Sequence, residues 1–321
     1  MKRLGLLGCV VAAATYLAPA GALADDQLKL TIGQRGNWDT AIAHLGTKAG
    51  IFKKHKLELE MIYTSGSGET LQPVVSGSVD LGLAVGTLGA MAAYAKGAPV
   101  RIVGAQATGA ADYWYAKTTS PIKTLQDTAG KTLAYSTNGS STHSIVRAFV
   151  NEYKLTAKPT PTGNPSTTLT AVMTDQVDVG WAAPPFGLKE IEEGKIRVVA
   201  KATDAALVRG QTIRVIVANA QALDKKKDAI HRFLQGYRET IEHMYGSDPQ
   251  VIKDYAEFVN IPEPLARKVR DEFFPKALLS PDQINGLDSL MEEAVTLKFI
   301  PASLTKAQQA ELIQIQAPAT R

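Results

Sequence analysis

TLQPVVSGSVDLGLA at residues 70–84 and TLTAVMTDQVDVGWA at residues 168–182 align without a gap at an offset of 98, with seven identities in fifteen positions. The identities are Thr70/Thr168, Leu71/Leu169, Val74/Val172, Val79/Val177, Asp80/Asp178, Gly82/Gly180 and Ala84/Ala182. In both segments apolar residues at helical spacing pass through a short turn into a continuous apolar stretch, so helix, turn and buried strand recur in the same order. Solenoid repeats have periods of roughly 20 to 50 residues. One repetition at about the size of a small domain reads instead as a duplicated α/β unit, two similar lobes with the chemistry between them.

Outward from the repeat, apolar alternation predicts strands over residues 28–33, 57–63, 79–85, 100–105, 113–117, 131–135, 196–200 and 213–218. Helical faces fall between them, at Ile42/Leu45/Ala49/Phe52 and at Ile145/Phe149/Tyr153, and strands alternating with helices imply parallel sheets. Pro73 is expected in the first turn of the first repeat helix, the place where a missing N–H costs least. Asn164-Pro165 pairs a good N-cap with a good first helical residue. From residue 229 onward the pattern is of packing helices. These elements divide the chain into lobe 1 over residues 25–110, lobe 2 over 111–212, and a return to lobe 1 over 213–321.

Residues 1–24 read as an export signal: Lys2 and Arg3, an apolar run from 4 to 17, and the small-residue site Ala22-Leu23-Ala24 before Asp25-Asp26. The implied location is the periplasm, with the mature chain starting at Asp25. The lone cysteine, Cys9, lies within that signal, so a lipoprotein reading is the lesser one and the mature chain has no disulfide or thiolate chemistry. The 35 Lys and Arg against 31 Asp and Glu become nearly even without Lys2 and Arg3. Nucleic-acid binding would call for a clustered basic stripe, so that class is set aside.

Catalytic patterns fail one by one. Gly66-Ser67-Gly68 lacks the third glycine of a dinucleotide fingerprint, where Leu71 stands, and Gly130-Lys131-Thr132 lacks the first glycine of a phosphate loop, where Leu125 stands. No Gly-x-Ser-x-Gly elbow and no His-Glu-x-x-His pair occurs. Asp80 and Asp178 enter their strands at the end opposite the carboxyl edge, where ligands of open α/β sheets collect, so both read as structural. The loops beyond the carboxyl edges hold small, hydroxyl-bearing and aromatic residues at 34–38, 65–68, 85–87, 136–143, 163–166 and 181–185. Helix N-termini there favour an oxyanion, Arg35 supplies a full charge, and Trp38 and Trp181 offer flat apolar surface. His143 follows Asn138-Gly139-Ser140-Ser141-Thr142 at a strand-to-helix junction, as a ligand contact or a simple cap. Trp114, between Tyr113 and Tyr115, reads as strand packing.

The run Leu71-Gln72-Pro73-Val74-Val75-Ser76-Gly77-Ser78-Val79-Asp80, with residues 86–97 and Pro99-Val100-Arg101-Ile102-Val103 after it, resembles the nitrate/sulfonate/taurine-type substrate-binding proteins of ABC transporters. Residues 122–131, IKTLQDTAGK, resemble that family's entry to the second lobe, and Gly139-Ser140-Ser141-Thr142-His143 its following ligand loop. The resemblance implies an α/β, two-lobed type II periplasmic binding protein fold with a hinge of two crossover strands. It also implies a receptor that closes on a small, anionic organic solute and presents it to an ABC permease, as a monomer without cofactor or metal. The contacts expected are Arg35, Asn37, Trp38, Ser67, Gly86 and Thr87 from lobe 1, and Ser140, Ser141, Thr142, His143 and Trp181 from lobe 2. Two alternatives stay open, a pyrimidine-synthase-like enzyme of the same fold and a sensory binding protein that does not transport.

Overall fold

The computed structural model describes residues 26–316, so the expected signal segment and Cys9 lie outside the described residues. Among the described residues ten strands form: β1 (Asp26–Gly33), β2 (Leu57–Thr64), β3 (Leu81–Gly86), β4 (Val100–Thr108), β5 (Tyr113–Lys117), β6 (Thr132–Tyr135), β7 (Lys158–Pro161), β8 (Gly180–Ala182), β9 (Ile196–Lys201) and β10 (Thr212–Asn219). The first sheet has the order β2-β1-β3-β10-β4, with β1 parallel to β2 and β3, and β10 antiparallel to both its neighbours. In the second lobe β8-β5-β9 and β6-β7 are joined by a bridge between Leu133 and Val179. The resulting order β7-β6-β8-β5-β9 repeats the first, with β5 in the place of β10. Each lobe therefore carries one antiparallel strand that enters directly from the other.

Alternation along β10 shows why the first sheet is covered on both faces. Ile216 and Ala218 pack into one core with Trp38, Phe233, Tyr237 and Tyr255, while Val215 and Val217 pack into another with Val100, Ile102 and Leu290. The helices Lys227–Met244 and Gln250–Val259 cover the first face, and Ser67–Ser76, Thr87–Ala95 and Leu287–Thr296 the second. Lobe 2 has its own core around Trp114, Phe149, Ile145 and Trp181. Trp114 donates to the Ala134 carbonyl at 2.8 Å and meets Phe149 edge-on, which makes it a packing residue of that lobe.

The repeat is visible as twin hydrogen bonds. Thr70 Oγ1 donates to the Gly66 carbonyl at 3.1 Å and meets Thr64 Oγ1 at 2.7 Å; Thr168 Oγ1 donates to the Asn164 carbonyl at 2.9 Å and meets Thr162 Oγ1 at 2.7 Å. Asp80 accepts the Lys29 amide at 2.9 Å, and Asp178 accepts the Thr132 amide at 2.9 Å. Asp80 thus ties β1 to the turn before β3, as Asp178 ties β6 to the turn before β8. Asn164 caps the helix Pro165–Met173 by accepting from the Thr167 amide at 2.9 Å.

One expectation needs correction, and one strand had no expectation behind it. Pro73 is not in the first turn but the seventh residue of Ser67–Ser76, because the Ser-Gly-Ser-Gly segment itself starts the helix; Pro73 lies in the last turns, half-buried. Strand β7, Lys-Pro-Thr-Pro, had no apolar alternation to announce it, and its prolines are tolerated because it is an edge strand. The two crossover strands are β5 and β10, reached from β4 through residues 109–112 and from β9 through residues 202–211 with two short 3₁₀ turns.

Gly82 and Gly180 occupy matching points of β3 and β8. A Cβ would lie 2.8 Å from Val74 Cγ2 at the first and 2.8 Å from Val172 Cγ2 at the second, with Tyr115 Cζ at 2.7 Å as well. Gly82→Ala and Gly180→Ala should each cost about 1–3 kcal/mol by overpacking, read as a lower urea midpoint at unchanged m-value. An unshifted midpoint in either would disprove this account of the repeated glycines.

Candidate functional site

The carboxyl ends of the parallel strands of both lobes converge on one cavity. Lobe 1 contributes Gly33 and Gln34 at the end of β1, Asn37 and Thr40 from the turn beyond, Gly66 and Ser67 at the start of Ser67–Ser76, and Ala84 of β3. Lobe 2 contributes Ser136, then Ser140, Ser141 and Thr142 at the start of Ser141–Glu152, and Trp181 of β8; Arg214 of β10 lies at the base. Two helix N-termini, one from each lobe, therefore face the same space with their partial positive charge. Gln34 and Ala84 both take left-handed backbone, φ 62° and 60°, and β10 is bulged beside the site between Val215 and Val217. Such local irregularity re-aims groups next to ligand sites.

Among the described residues Arg214 is the only titratable side chain lining the cavity, and its charge is already paired. Its Nη1 donates to Asp39 Oδ2 at 2.7 Å, its Nη2 to Asp112 at 3.0 and 2.8 Å, and its Nε to Ser141 Oγ at 3.2 Å. All three charged side chains are buried. Burial raises the Asp112 pKa against the pull of Arg214; burial also works against the guanidinium, but Asp112 and Asp39 more than compensate and the Arg214 pKa rises. The triad ties lobe 1 at Asp39 to the first crossing at Asp112 and to β10 just past the second crossing, while Ser141 brings in lobe 2.

The lobes touch directly. Gly68 donates its amide to Thr137 Oγ1 at 3.0 Å, and Ser67 Oγ donates to the Gly139 carbonyl at 3.4 Å. Glycines make the approach possible: a Cβ at Gly86 would lie 2.5 Å from the Gly139 carbonyl oxygen, one at Gly66 2.7 Å from Thr137 Oγ1, one at Gly68 2.7 Å from the Asn138 carbonyl oxygen, and one at Gly89 would overlap the Gly139 carbonyl. Between the lobes this leaves a cavity of about 10 Å³, comparable to one water centre.

Of the expected contacts, Asn37, Ser67, Ser140, Ser141, Thr142 and Trp181 line the cavity. Five do not. Arg35 is turned outward, donating to the Phe258 carbonyl at 3.1 Å with its guanidinium 4.6 Å over the Phe258 ring. Trp38 is wholly buried in the lobe 1 core, donating to Tyr245 Oη at 3.0 Å, because its apolar area is worth more there than at a rim. Gly86 serves the contact with Gly139 rather than the cavity. Thr87 donates to the Thr212 carbonyl at 2.6 Å and faces a separate small cavity. His143 is a capping and packing residue: its Nδ1 accepts from the Gly139 amide at 3.1 Å and its ring stacks on Tyr135 at 4.4 Å. Burial, aided by Arg147, pushes its pKa down to about 4, which keeps Nδ1 free to accept. The residue missed was Arg214, a single charge inside the apolar run Thr212–Asn219.

The second small cavity lies between Thr87 and Leu88 of lobe 1, Ser141 and Ser144 of lobe 2, and Val208 and Gln211 of the second crossing. Glu293 faces it from Leu287–Thr296, is 2% exposed, and has no hydrogen-bond partner on either carboxyl oxygen. Burial, then repulsion from Glu152, pushes its pKa up to about 8, with nearby Gln211 pulling the other way.

Among the described residues no helix is long and apolar enough to cross a membrane, and no group of His, Cys, Asp and Glu is arranged to hold a metal ion. Residues 37–250 match the family model described as NMT1/THI5 like. Solved structures similar in fold include the periplasmic aliphatic sulphonate-binding protein SsuA of Escherichia coli, 20% identical over 92% of this chain and 94% of that one, TM-score 0.69. The alkanesulfonate-binding SsuA of Xanthomonas axonopodis pv. citri, bound to MOPS, is 18% identical over 90% and 96%, TM-score 0.68. The periplasmic nitrate-binding protein NrtA of Synechocystis PCC 6803 is 14% identical over 88% and 84%, TM-score 0.68. No curated protein matches the chain.

Two outcomes are expected. Arg214→Leu strands two buried carboxylates and should destabilise by about 3–5 kcal/mol; a loss under 1 kcal/mol in denaturant unfolding would sink the triad as a structural anchor. Because the folded pKa of Glu293 lies above its unfolded value, its contribution is complete below pH 4.5 and is lost as pH rises through about 8. Glu293→Gln should therefore remove part of the fall in melting temperature between pH 5 and pH 9, and superimposable wild-type and variant profiles would contradict this.

Proposed function

The chain belongs to the NMT1/THI5-like family, and we propose that it is a periplasmic solute receptor that captures one small organic solute between its lobes for an ABC permease. The observation that carries this reading is the opposition of two helix N-termini, at Ser67 and Ser141, across a cavity shared by the two lobes. An oxyanion or similar acceptor-rich group, such as a sulfonate or carboxylate, is what such termini receive. Their hydroxyls, the Trp181 indole and the Asn37 amide surround the same space. The solved binding proteins of like fold support the receptor reading over an enzymatic one, as does a lining in which the only titratable group is already held by two carboxylates.

Function then follows from closure. A ligand touching both lobes stabilises the closed arrangement in proportion to its differential affinity for it, and the closed outline is what a permease reads. Export through residues 1–24, with Asp25 as the first mature residue, places the receptor where such a permease presents its outer face. A single chain suffices, because both halves of the site come from one polypeptide.

The test is a thermal-shift screen of sulfonates, carboxylates, nitrate and heteroaromatic acids. A ligand at 100 times its dissociation constant should add about 2.7 kcal/mol of stability. Gly89→Ala, which blocks the approach to Gly139, should weaken binding at least about tenfold, a cost of about 1.4 kcal/mol. Stabilisation by cationic solutes alone, or full affinity in Gly89→Ala, would overturn the proposal.

A further inference from the structure

Three asparagines stand at helix N-caps with extended backbone: Asn37, Asn164 and Asn219. Asn164 caps by accepting from the Thr167 amide at 2.9 Å, and Asn219 by accepting from the Gln221 and Ala222 amides at 3.0 and 3.2 Å. Asn37 does not cap. It is wholly buried, lines the interlobe cavity, and neither Oδ1 nor Nδ2 has a hydrogen-bond partner. The tryptophans divide in the same way: Trp38 Nε1 donates to Tyr245 Oη and Trp114 Nε1 to the Ala134 carbonyl, whereas Trp181 Nε1, in a side chain 1% exposed on the cavity wall, has no partner.

Buried amides and indoles without partners are costly, and native interiors avoid them. Here they occur one from each lobe, on the same cavity, while equivalent residues elsewhere are satisfied. On the receptor reading given above, we infer that Asn37 and Trp181 hydrogen-bond the solute directly and that the solute carries an N–H donor beside its acceptor group. Asn37 Nδ2 and Trp181 Nε1 can each serve an acceptor, but Oδ1 needs a donor. Nitrate or a plain alkanesulfonate has none to give and would leave Oδ1 unpaired, a loss of about five- to hundredfold in affinity. An amide side chain reads an adjacent donor and acceptor as a bidentate pair, the way asparagine reads the edge of adenine. The ligand class is therefore the small amide, amidine or amino-bearing acid rather than the bare oxyanion. Since the Arg214 charge is already held by Asp39 and Asp112, selectivity rests on these neutral groups.

Matched pairs differing in the donor test this by calorimetry: succinamate against monomethyl succinate, 2-aminoethanesulfonate against ethanesulfonate, with nitrate alongside. The donor-bearing member should bind at least fivefold tighter, and Asn37→Leu should abolish that preference. Trp181→Phe should weaken both members of a pair alike. Asn37→Leu should not lower the unliganded melting temperature, since it removes an unpaired buried polar group; a lowered one would mark Asn37 as structural and overturn its assignment. If the donor-free members and nitrate bind as tightly as their partners, and Asn37→Leu changes neither, the inference falls while the receptor reading stands. If no member of any pair binds, the ligand class proposed above and the inference fall together.

Discussion

Arg214 held between Asp39 and Asp112 is the constraint on which the two-lobed arrangement rests. The three residues come from the return strand, the first lobe and the first crossing, places with no other reason to lie together. Taking three charges out of water is expensive, and such a cluster stabilises only when every group finds its hydrogen bonds. Nearly all do: Asp112 takes two bonds from the guanidinium and Asp39 one, leaving Asp39 Oδ1 without a partner. The cluster also sets the orientation of the crossings. Arg214 is bonded at once to Asp112 of the first crossing and to Ser141 of lobe 2, which ties the base of the cleft on both sides.

Much of the fold was legible because the repeat carries its own scaffold. Thr70 and Thr168, Asp80 and Asp178, and Gly82 and Gly180 were visible as identities, and each pair makes the same contact in its lobe. Strands facing apolar layers on both sides announce themselves as apolar runs, so β1, β5 and β10 could be placed nearly to the residue. The strand β7 could not. An edge strand of lysine, threonine and two prolines has no periodicity, and only its neighbour β6 makes it a strand.

The site was legible as a set of loops but not as side-chain directions. Ser140, Ser141 and Thr142 follow from the position of a helix N-terminus, which sequence marks well. Arg35 and Trp38 sit in the right loop, yet the five residues from Gln34 to Trp38 turn sharply enough that Asn37 faces the cavity while Trp38 enters the core and Arg35 covers Phe258. No spacing rule resolves such a turn. Arg214 was hidden for the opposite reason: a lone charge in Thr-Ile-Arg-Val-Ile-Val-Ala-Asn looks like an interruption of a strand, and its partners lie 175 and 102 residues away.

Beside the cavity the interlobe contact sets Gly86 and Gly89 against the backbone of Gly139, and Gly66 and Gly68 against the short side chain of Thr137 and the Asn138 carbonyl. Bringing long side chains together at a closing surface freezes their rotamers, at about 0.5–1.5 kcal/mol for each one immobilised. Glycines have no rotamers to freeze. This part of the contact is therefore ordered at little cost in side-chain entropy, in contrast to the edge where His143 and Arg147 of lobe 2 meet the Phe299 ring.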